Sequence, residues 1–409
     1  VVVGHEADRV RAGLGEDLEY VLQREQRGSG DAVRAAESVL EGYTGALLVL
    51  AGDVPLLRPT TLQRLLSHHL STQAVATLLT AVIEDPSGYG RVIRNPDGTV
   101  ARIVEHRDAT PAERAIKEWN PSVYCFQAPA LFSALREIHS DNAQGEYYLT
   151  DVIGVLTQKG ERVEAIQAED PQEVFGVNTR VELAQLTQVL RGRILTELML
   201  SGVTVVDPAT TYVDVDVRIG EDTILEPGTI LQAHTMIGEA CRIGPFTRIV
   251  NSRLGDRVTV WSSQIVDCEI GSDVHIGPFA NLRPGCRIAD GAKIGDFVEL
   301  KNALLGEKVS AAHLSYIGDA EVGAGTNIGA GVVTCNYDGI RKNRTLIGKN
   351  AFIGTHATLI APVTIGDGAY VAAASPITED VPEDALAIAR SRQTNKPEWA
   401  RRRRAAVRE

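Results

Sequence analysis

The sequence predicts a chain in two parts, an α/β domain followed by a parallel β-helix, and three observations carry that prediction. An aliphatic residue recurs every six positions through the second half. Apolar strand-like runs alternate with amphipathic helical ones through the first, and one long helical stretch lies between. The stride of six is the strongest of the three. Ile219, Leu225, Leu231, Ile237, Ile243 and Ile249 form one unbroken series; Ile270, Ile276, Leu282, Ile288, Ile294 and Leu300 form a second; Ile347, Ile353, Leu359, Ile365, Val371 and Ile377 form a third. Neither helical nor alternating-strand periodicity gives that repeat. A solenoid of short flat strands does. Each aliphatic then points inward beneath its copy in the next coil, and the small residue after it, most often glycine, lets the chain turn a corner.

Length and composition set the bounds. At 409 residues the chain has room for two cores. A net charge of -12 argues against a nonspecific nucleic-acid binder, and the basic run Arg401, Arg402, Arg403, Arg404 reads as a solvated terminus. The cysteines Cys125, Cys241, Cys268, Cys286 and Cys335 are scattered without a CxxC pair, and no apolar run is long enough to span a bilayer. The expectation is a reduced, cytoplasmic protein with no zinc cluster, no nucleic-acid partner and no membrane segment. Val1 to Val3 followed by Gly4 read as a strand already under way, so the chain is expected to begin inside a domain.

From Val1 to about Phe175 the alternation predicts a mostly parallel sheet. Its clearest unit is Gly45-Ala-Leu-Leu-Val-Leu50, expected as a buried strand, followed by Ala51-Gly52-Asp53 and a helix from Thr60 through Leu70. Residues at the carboxyl end of such a strand face the ligand crevice, which singles out Asp53. Gly88-Tyr89-Gly90-Arg91 lead into a hairpin that turns at Asn95-Pro96-Asp97-Gly98 and returns through Ile103-Val104-Glu105. Thr110-Pro-Ala-Glu113 reads as a capping box with proline at the first helical position.

Residues 180–201 carry Leu183, Leu186, Leu190, Ile194, Leu198 and Met199 at helical spacing, with Gly202 as the stop. The expected organisation is therefore a domain over 1–179, a linker helix over 180–202 and a coiled domain over 203–409. The six-residue register slips between Val266 and Ile270. Between Ile328 and Ile347 the insert Thr334-Cys-Asn-Tyr-Asp-Gly-Ile-Arg-Lys-Asn-Arg-Thr345 leaves the coil. Such an insert maps to a loop on one face, often the binding face. Gly323-Ala-Gly325 and Gly329-Ala-Gly331 faintly match a dinucleotide fingerprint, yet without strand-to-helix context they read as turns of the solenoid.

Several longer runs are specific together: Gln23-Arg-Glu-Gln-Arg-Gly-Ser-Gly30, Ala51-Gly-Asp-Val-Pro-Leu56, Gly88-Tyr-Gly-Arg91, Val104-Glu-His-Arg-Asp-Ala-Thr110, Asn142-Ala-Gln-Gly-Glu-Tyr-Tyr148, Gly176-Val-Asn178, Leu282-Arg-Pro-Gly285, Phe297-Val-Glu-Leu-Lys301, His313-Leu-Ser-Tyr-Ile-Gly-Asp319 and Thr334-Cys-Asn-Tyr-Asp-Gly339. In this order they resemble the bacterial family of bifunctional N-acetylglucosamine-1-phosphate uridyltransferase / glucosamine-1-phosphate N-acetyltransferase enzymes, over almost the whole chain. The resemblance implies an α/β nucleotidyltransferase (Rossmann-like) domain, here incomplete, and a left-handed parallel β-helix. It implies a homotrimer with coenzyme sites between subunits. It also implies synthesis of UDP-N-acetylglucosamine, by acetyl transfer from acetyl-CoA to glucosamine 1-phosphate and then uridylyl transfer from UTP to N-acetylglucosamine 1-phosphate, releasing pyrophosphate.

By that resemblance Asp53 and Asn178 hold Mg2+. Gln23, Gly28 and Ser29 take the nucleotide, and Gly90, Glu105, Asn120 and Asn178 take the rest of UDP-N-acetylglucosamine. In the β-helix His313 is the general base, and histidine is the side chain whose ordinary proton affinity suits that task. Arg283 and Lys301 clamp the sugar phosphate, and Tyr316 and Asn327 hold sugar hydroxyls. Asn336 and Tyr337 line the acetyl end, while Ala330, Thr355, Ala373 and Arg390 take the rest of the coenzyme. Two departures stand out. The family's first strand and glycine-rich Gly-x-Gly-Thr-Arg loop with its lysine would lie ahead of Val1, so uridylyl transfer by this chain is expected to be weak. Asn120 is followed by Pro121-Ser122 in place of a small hydroxyl residue and glycine. The rival readings are a sugar nucleotidyltransferase whose β-helix only assembles subunits or senses an effector, and a catalytically silent assembly protein.

Overall fold

The computed structural model describes residues 1–406. Its two units part between Leu190 and Arg191, inside the helix Arg180–Leu200.

The first unit is built on a seven-stranded sheet in the order Ala46–Leu50, Val123–Gln127, Ala76–Val82, Glu118–Asn120, Gly90–Arg94, Val100–Val104, with Val163–Gln167 also paired to Ala76–Val82. It is not the mostly parallel sheet that the alternation predicts. Ala76–Val82 with Val163–Gln167 is its only parallel pairing among the described residues; the other neighbours run antiparallel. The reason is connectivity. A short turn such as Asn95-Pro96-Asp97-Gly98 joins only antiparallel strands, and Val123–Gln127 is inserted in the opposite sense between Ala46–Leu50 and Ala76–Val82.

Ala46–Leu50 is a strand as expected, but it ends the row of the sheet and is half-exposed, with Leu50 45% accessible. Leu47 and Val49 pack on the apolar cluster of one face and Ala46 and Leu48 on that of the other, which is why the run is continuously apolar. The helix Pro59–Thr72 starts on its proline. The capping box closes both ways, Thr110 N–H donating to Glu113 Oε2 at 2.8 Å and Glu113 N–H to Thr110 Oγ1 at 3.3 Å.

In the helix Arg180–Leu200 the expected continuous apolar face is absent. Leu183, Leu190 and Met199 are exposed, while Leu186 and the unexpected Leu195 are buried. The physical reason lies at its end: Leu195, with Ile194 and Leu198 partly buried beside it, joins the solenoid core, so burial is demanded only of the last turns. Gly202, at φ 94, closes the helix, with Val203 N–H to Leu198 O at 3.0 Å and Gly202 N–H to Met199 O at 3.2 Å.

Every strand pairing in the second unit is parallel, and each aliphatic sits beside its counterpart three strands on: Ile219 by Ile237, Leu225 by Ile243, Leu231 by Ile249. One apolar column therefore runs from Val203 to Val381. The stride shortens by one residue not only at 266–270 but also from Ile249 to Leu254 and from Val260 to Ile265. A corner can lose a residue without turning the next aliphatic outward. The insert leaves the coil between Val333–Cys335 and Thr345–Ile347, closed by a bridge between Tyr337 and Lys342, and its tip Ile340 is 91% exposed. Arg401 to Arg404 lie in an exposed helix, Trp399–Ala405.

Candidate active sites

In the second unit Asp296 and His313 end adjacent strands, Lys293–Asp296 and Ser310–His313, and face each other across the coils. The coils approach so closely that a Cβ on Gly295 would lie 1.9 Å from the Ala312 carbonyl oxygen, so only glycine fits there. His313 Nδ1 is 2.6 Å from Asp296 Oδ1. Asp296 was not among the sequence candidates. Its signal is an ionisable residue one coil before the histidine, readable only once the coil length is known.

Backbone bonds then carry this corner along the solenoid. Leu314 N–H donates to Asp296 O at 2.9 Å, Gly331 N–H to His313 O at 3.4 Å, His356 N–H to Ala330 O at 2.7 Å and Ala374 N–H to Thr355 O at 2.9 Å. His313, Ala330, Thr355 and Ala373, scattered in sequence, thus occupy one corner position in successive coils. Asn327 lies on the strand leading to that corner, beside Ser310 and Phe352. Arg390 is exposed and follows Ala389, whose N–H bonds Ser375 Oγ at 3.2 Å near the end of the row.

Around the corner, Leu282, Leu300 and Ile317 stack, so Arg283, Lys301 and Gly318 take matching positions. Arg283 Nη1 donates to Glu299 Oε1 at 2.9 Å, which raises its already high proton affinity. Lys301 meets Lys342, a residue of the insert that sequence reasoning passed over. Contact with the Lys342 ammonium, then its charge, pushes Lys301 below the ordinary lysine range, Arg283 adding to the effect and Asp319 opposing it. The three cations gathered on this face, with Glu299 on Arg283 and Asp319 near the lysines, suit an anionic ligand. A Cβ on Gly318 would lie 2.4 Å from Tyr316 Oη, so the phenol of Tyr316 lies over the glycine. Asn336 Nδ2 donates to Asp319 Oδ2 at 2.5 Å and lies 3.4 Å from Tyr316 Oη. Burial works to raise Asp319, but the bonds from Asn302 and Asn336 and the lysine charges hold it below the usual carboxylate range.

Tyr337 does not join this group; it is exposed and its hydroxyl donates to Gly339 O within its own loop at 2.6 Å. His313 stands at the corner three residues before Tyr316, and among the described residues no bond joins it to Arg283 or Lys301. A groove of about 980 Å³ in this unit lies against Arg287, Leu305, Leu346 and Thr364 and holds none of the expected residues.

In the first unit Gly90 and Asn120 are cross-strand partners, and a Cβ on Gly90 would lie 3.4 Å from Glu105 Oε2. Glu105 Oε1 accepts from Thr150 Oγ1 at 2.9 Å, and buried Asn120 donates to Tyr124 Oη at 2.7 Å. Burial pushes the Glu105 carboxyl above the usual range, Thr150 opposes, and the charges of Asp151 and Asp108 add to the rise. Glu105, Asp108, Tyr148, Thr150 and Asp151 line a cavity of about 690 Å³, of which Gly90 and Asn120 form no part.

Gly28, at φ 112, has no room for a Cβ, which would meet the Tyr147 carbonyl oxygen at 2.6 Å. Gln23 Nε2 donates to Gly28 O at 3.2 Å and Asp31 Oδ2 at 3.1 Å, and Ser29 Oγ accepts from Leu149 N–H at 3.0 Å.

Asp53 O accepts from Val177 N–H at 2.9 Å, which brings it beside Asn178. Asn178 and Thr179 N–H both donate to Glu182 Oε2 at 2.7 Å, and Glu182 N–H bonds Thr179 Oγ1 at 3.2 Å. This second capping box, Thr179 to Glu182, is visible in the sequence but was not singled out. The Asp53 carboxylate is exposed and has no ion pair among the described residues. An acidic oxygen next to an amide oxygen fits magnesium, which takes few protein ligands.

A family model for nucleotidyl transferase matches residues 7–172, and one for the bacterial transferase hexapeptide (six repeats) matches residues 216–251 and 267–302. The chain is 52% identical over 400 residues to the bifunctional protein GlmU of Brevibacillus brevis, covering 98% of this chain and 87% of that one. It is 51% identical to the proteins of the same description from a Geobacillus species, over 98% of this chain and 87% of that one, and from Halalkalibacterium halodurans, over 97% and 88%. Half-identity across nearly the full length of both chains spans both units, not one shared domain.

Proposed function

The chain belongs to the GlmU family of bifunctional proteins, and from that membership we propose that it makes UDP-N-acetylglucosamine in two steps. Its second unit, a left-handed parallel β-helix of hexapeptide repeats, moves the acetyl group of acetyl-CoA to the amine of glucosamine 1-phosphate. Its first unit joins the N-acetylglucosamine 1-phosphate so formed to the uridylyl group of UTP and releases pyrophosphate. The observation that carries the reading is the corner row of His313, Ala330, Thr355 and Ala373, with the cations of Arg283, Lys301 and Lys342 on the adjoining face.

The amine of glucosamine 1-phosphate is largely protonated near neutral pH and cannot attack a thioester in that form. His313 accepts its proton, the freed nitrogen attacks the acetyl carbon and sheds a second proton to water as the amide forms, and the coenzyme leaves as a thiolate that takes the proton held by His313. Arg283, Lys301 and Lys342 bind the sugar phosphate; Tyr316 and Asn327 hold its hydroxyls; Asn336 and Tyr337 line the acetyl end. The small residues Ala330, Thr355 and Ala373 make room for the pantetheine arm along the corner, and Arg390 pairs with a coenzyme phosphate.

In the first unit Gln23, Gly28 and Ser29 take the nucleotide, and Gly90, Glu105 and Asn120 orient the amino sugar so that its phosphate oxygen faces the α-phosphorus of UTP. Asp53 and Asn178 would hold Mg2+, which when bound supplies charge neutralisation at the phosphates. We further infer a homotrimer in the cytoplasm. The exposed ladder of Phe246, Phe279, Phe297 and Leu314 supports burial of this corner by a partner chain, and the free cysteines fit a reducing compartment.

The test is direct. The purified chain acetylates glucosamine 1-phosphate, and His313→Ala lowers that rate by roughly 10²-fold or more. An unchanged rate removes the assignment. Calorimetry with coenzyme A gives binding heat, whereas a β-helix that is only a scaffold gives none.

A further inference from the structure

We propose that Asp296 is a positioning residue for the acetyl transfer, fixing the tautomer and orientation in which His313 acts as base; the proposal rests on the acetyltransferase reading above. An ionised carboxylate only accepts hydrogen bonds, so the 2.6 Å contact from Asp296 Oδ1 to His313 Nδ1 requires the hydrogen on Nδ1. The lone pair is then on Nε2, which no protein group bonds among the described residues. In the step itself the substrate ammonium gives a proton to Nε2, the nitrogen forms its bond to the acetyl carbon, and the carbon–sulfur bond breaks. The proton passes from Nε2 to the departing thiolate, and the new amide nitrogen gives its second proton to water, so that one proton is released overall. The Nδ1 proton stays where it is, and the Asp296 charge stabilises the imidazolium that exists between the two transfers.

The fold itself does not call for this pair. The same corner position is held by Pro278, Asp296, His313, Ala330, Thr355 and Ala373 in successive coils, each followed by a residue with positive φ. The corner closes equally well on proline and alanine, so an ionisable pair at two adjacent coils is not a device for stacking them. Gly295 is the close-approach glycine that Gly277, Gly329 and Gly354 also supply ahead of this corner, and here it keeps the two strand ends together. A side chain there would strike the Ala312 carbonyl oxygen at 1.9 Å and separate the strand ends that bring Asp296 to His313.

A double-mutant cycle on the full chain tests this, with acetyl transfer from acetyl-CoA to glucosamine 1-phosphate as the assay. Asp296→Asn is expected to lower kcat by roughly 10²-fold while leaving KM for both substrates within about twofold. Asp296→Asn combined with His313→Ala is expected to be no slower than His313→Ala alone, because the carboxylate acts through the imidazole; a merely structural role would give multiplying losses. A ¹⁵N-histidine spectrum of the wild-type chain, with the His313 signal identified by its loss in His313→Ala, is expected to report the Nδ1–H tautomer whether or not the Asp296 variant folds. A fully active Asp296→Asn variant, multiplying losses, or an Nε2–H tautomer would overturn the proposal alone. Failure of the wild-type chain to acetylate glucosamine 1-phosphate would overturn the acetyltransferase reading and take the proposal with it.

Discussion

Glu105, proposed above to hold the amino sugar, opposes the stability of the fold that carries it at neutral pH. Burial, with the charges of Asp151 and Asp108, raises its proton affinity in the folded state above the ordinary glutamate value of 4.5. The stability it contributes is therefore complete below the unfolded value and is lost as the pH rises through the folded one. Glu105→Gln is expected to raise the melting temperature at neutral pH, to leave it unchanged below pH 4.5, and to abolish uridylyl transfer; equal shifts at both pH values would sink this account. Lys342 presents the converse case, a like charge brought to Lys301. Lys342→Ala is expected to raise KM for glucosamine 1-phosphate about tenfold or more, the usual weight of a charge-assisted bond, with little change in kcat. The sequence placed Lys342 only in an insert; its meeting with Lys301 depends on how that loop folds back, which no local pattern encodes.

At the scale of the element, the joints matter more than the strands. Helix Arg180–Leu200 is opened by Thr179 and Glu182, whose side chains satisfy three otherwise orphaned backbone donors, including that of Asn178. Thr179→Ala is expected to lower stability by about 1 kcal/mol in urea unfolding. Glu182→Ala additionally frees the segment that carries Asn178 and is expected to weaken uridylyl transfer more than it weakens the fold. In the solenoid, Gly295→Ala is expected to lower both the melting temperature and acetyl transfer, since the obstructing atom is backbone and cannot rotate away. The strands that frame these joints were legible because their aliphatics repeat. The apolar face of the helix was misjudged because its leucines obey helical spacing whether or not anything covers them.

For the molecule as a whole, two apolar clusters flank the first sheet and one fills the solenoid, none shared between the units, and this predicts two thermal transitions. Calorimetry is expected to resolve one for the unit ending at Leu190 and one for the unit beginning at Arg191, and a single sharp transition would contradict that independence. The two chemistries should part in the same way. Chelation by EDTA is expected to stop uridylyl transfer, where Asp53 and Asn178 would hold magnesium, and to spare acetyl transfer, for which no metal is invoked.

By itself the sequence determined the coil, the hairpin, the cap at Thr110 and the candidates Asp53, Glu105 and His313, because periodicity, turn chemistry and motif order are local or additive along the chain. Only the tertiary structure decided the antiparallel sense of the first sheet, the partner of His313 and the gathering of Arg283, Lys301 and Lys342. Those depend on which residues a coil of variable length stacks on one another. A single dropped corner residue shifts every later side chain by one place along the solenoid without disturbing the hydrophobic pattern on either side of it.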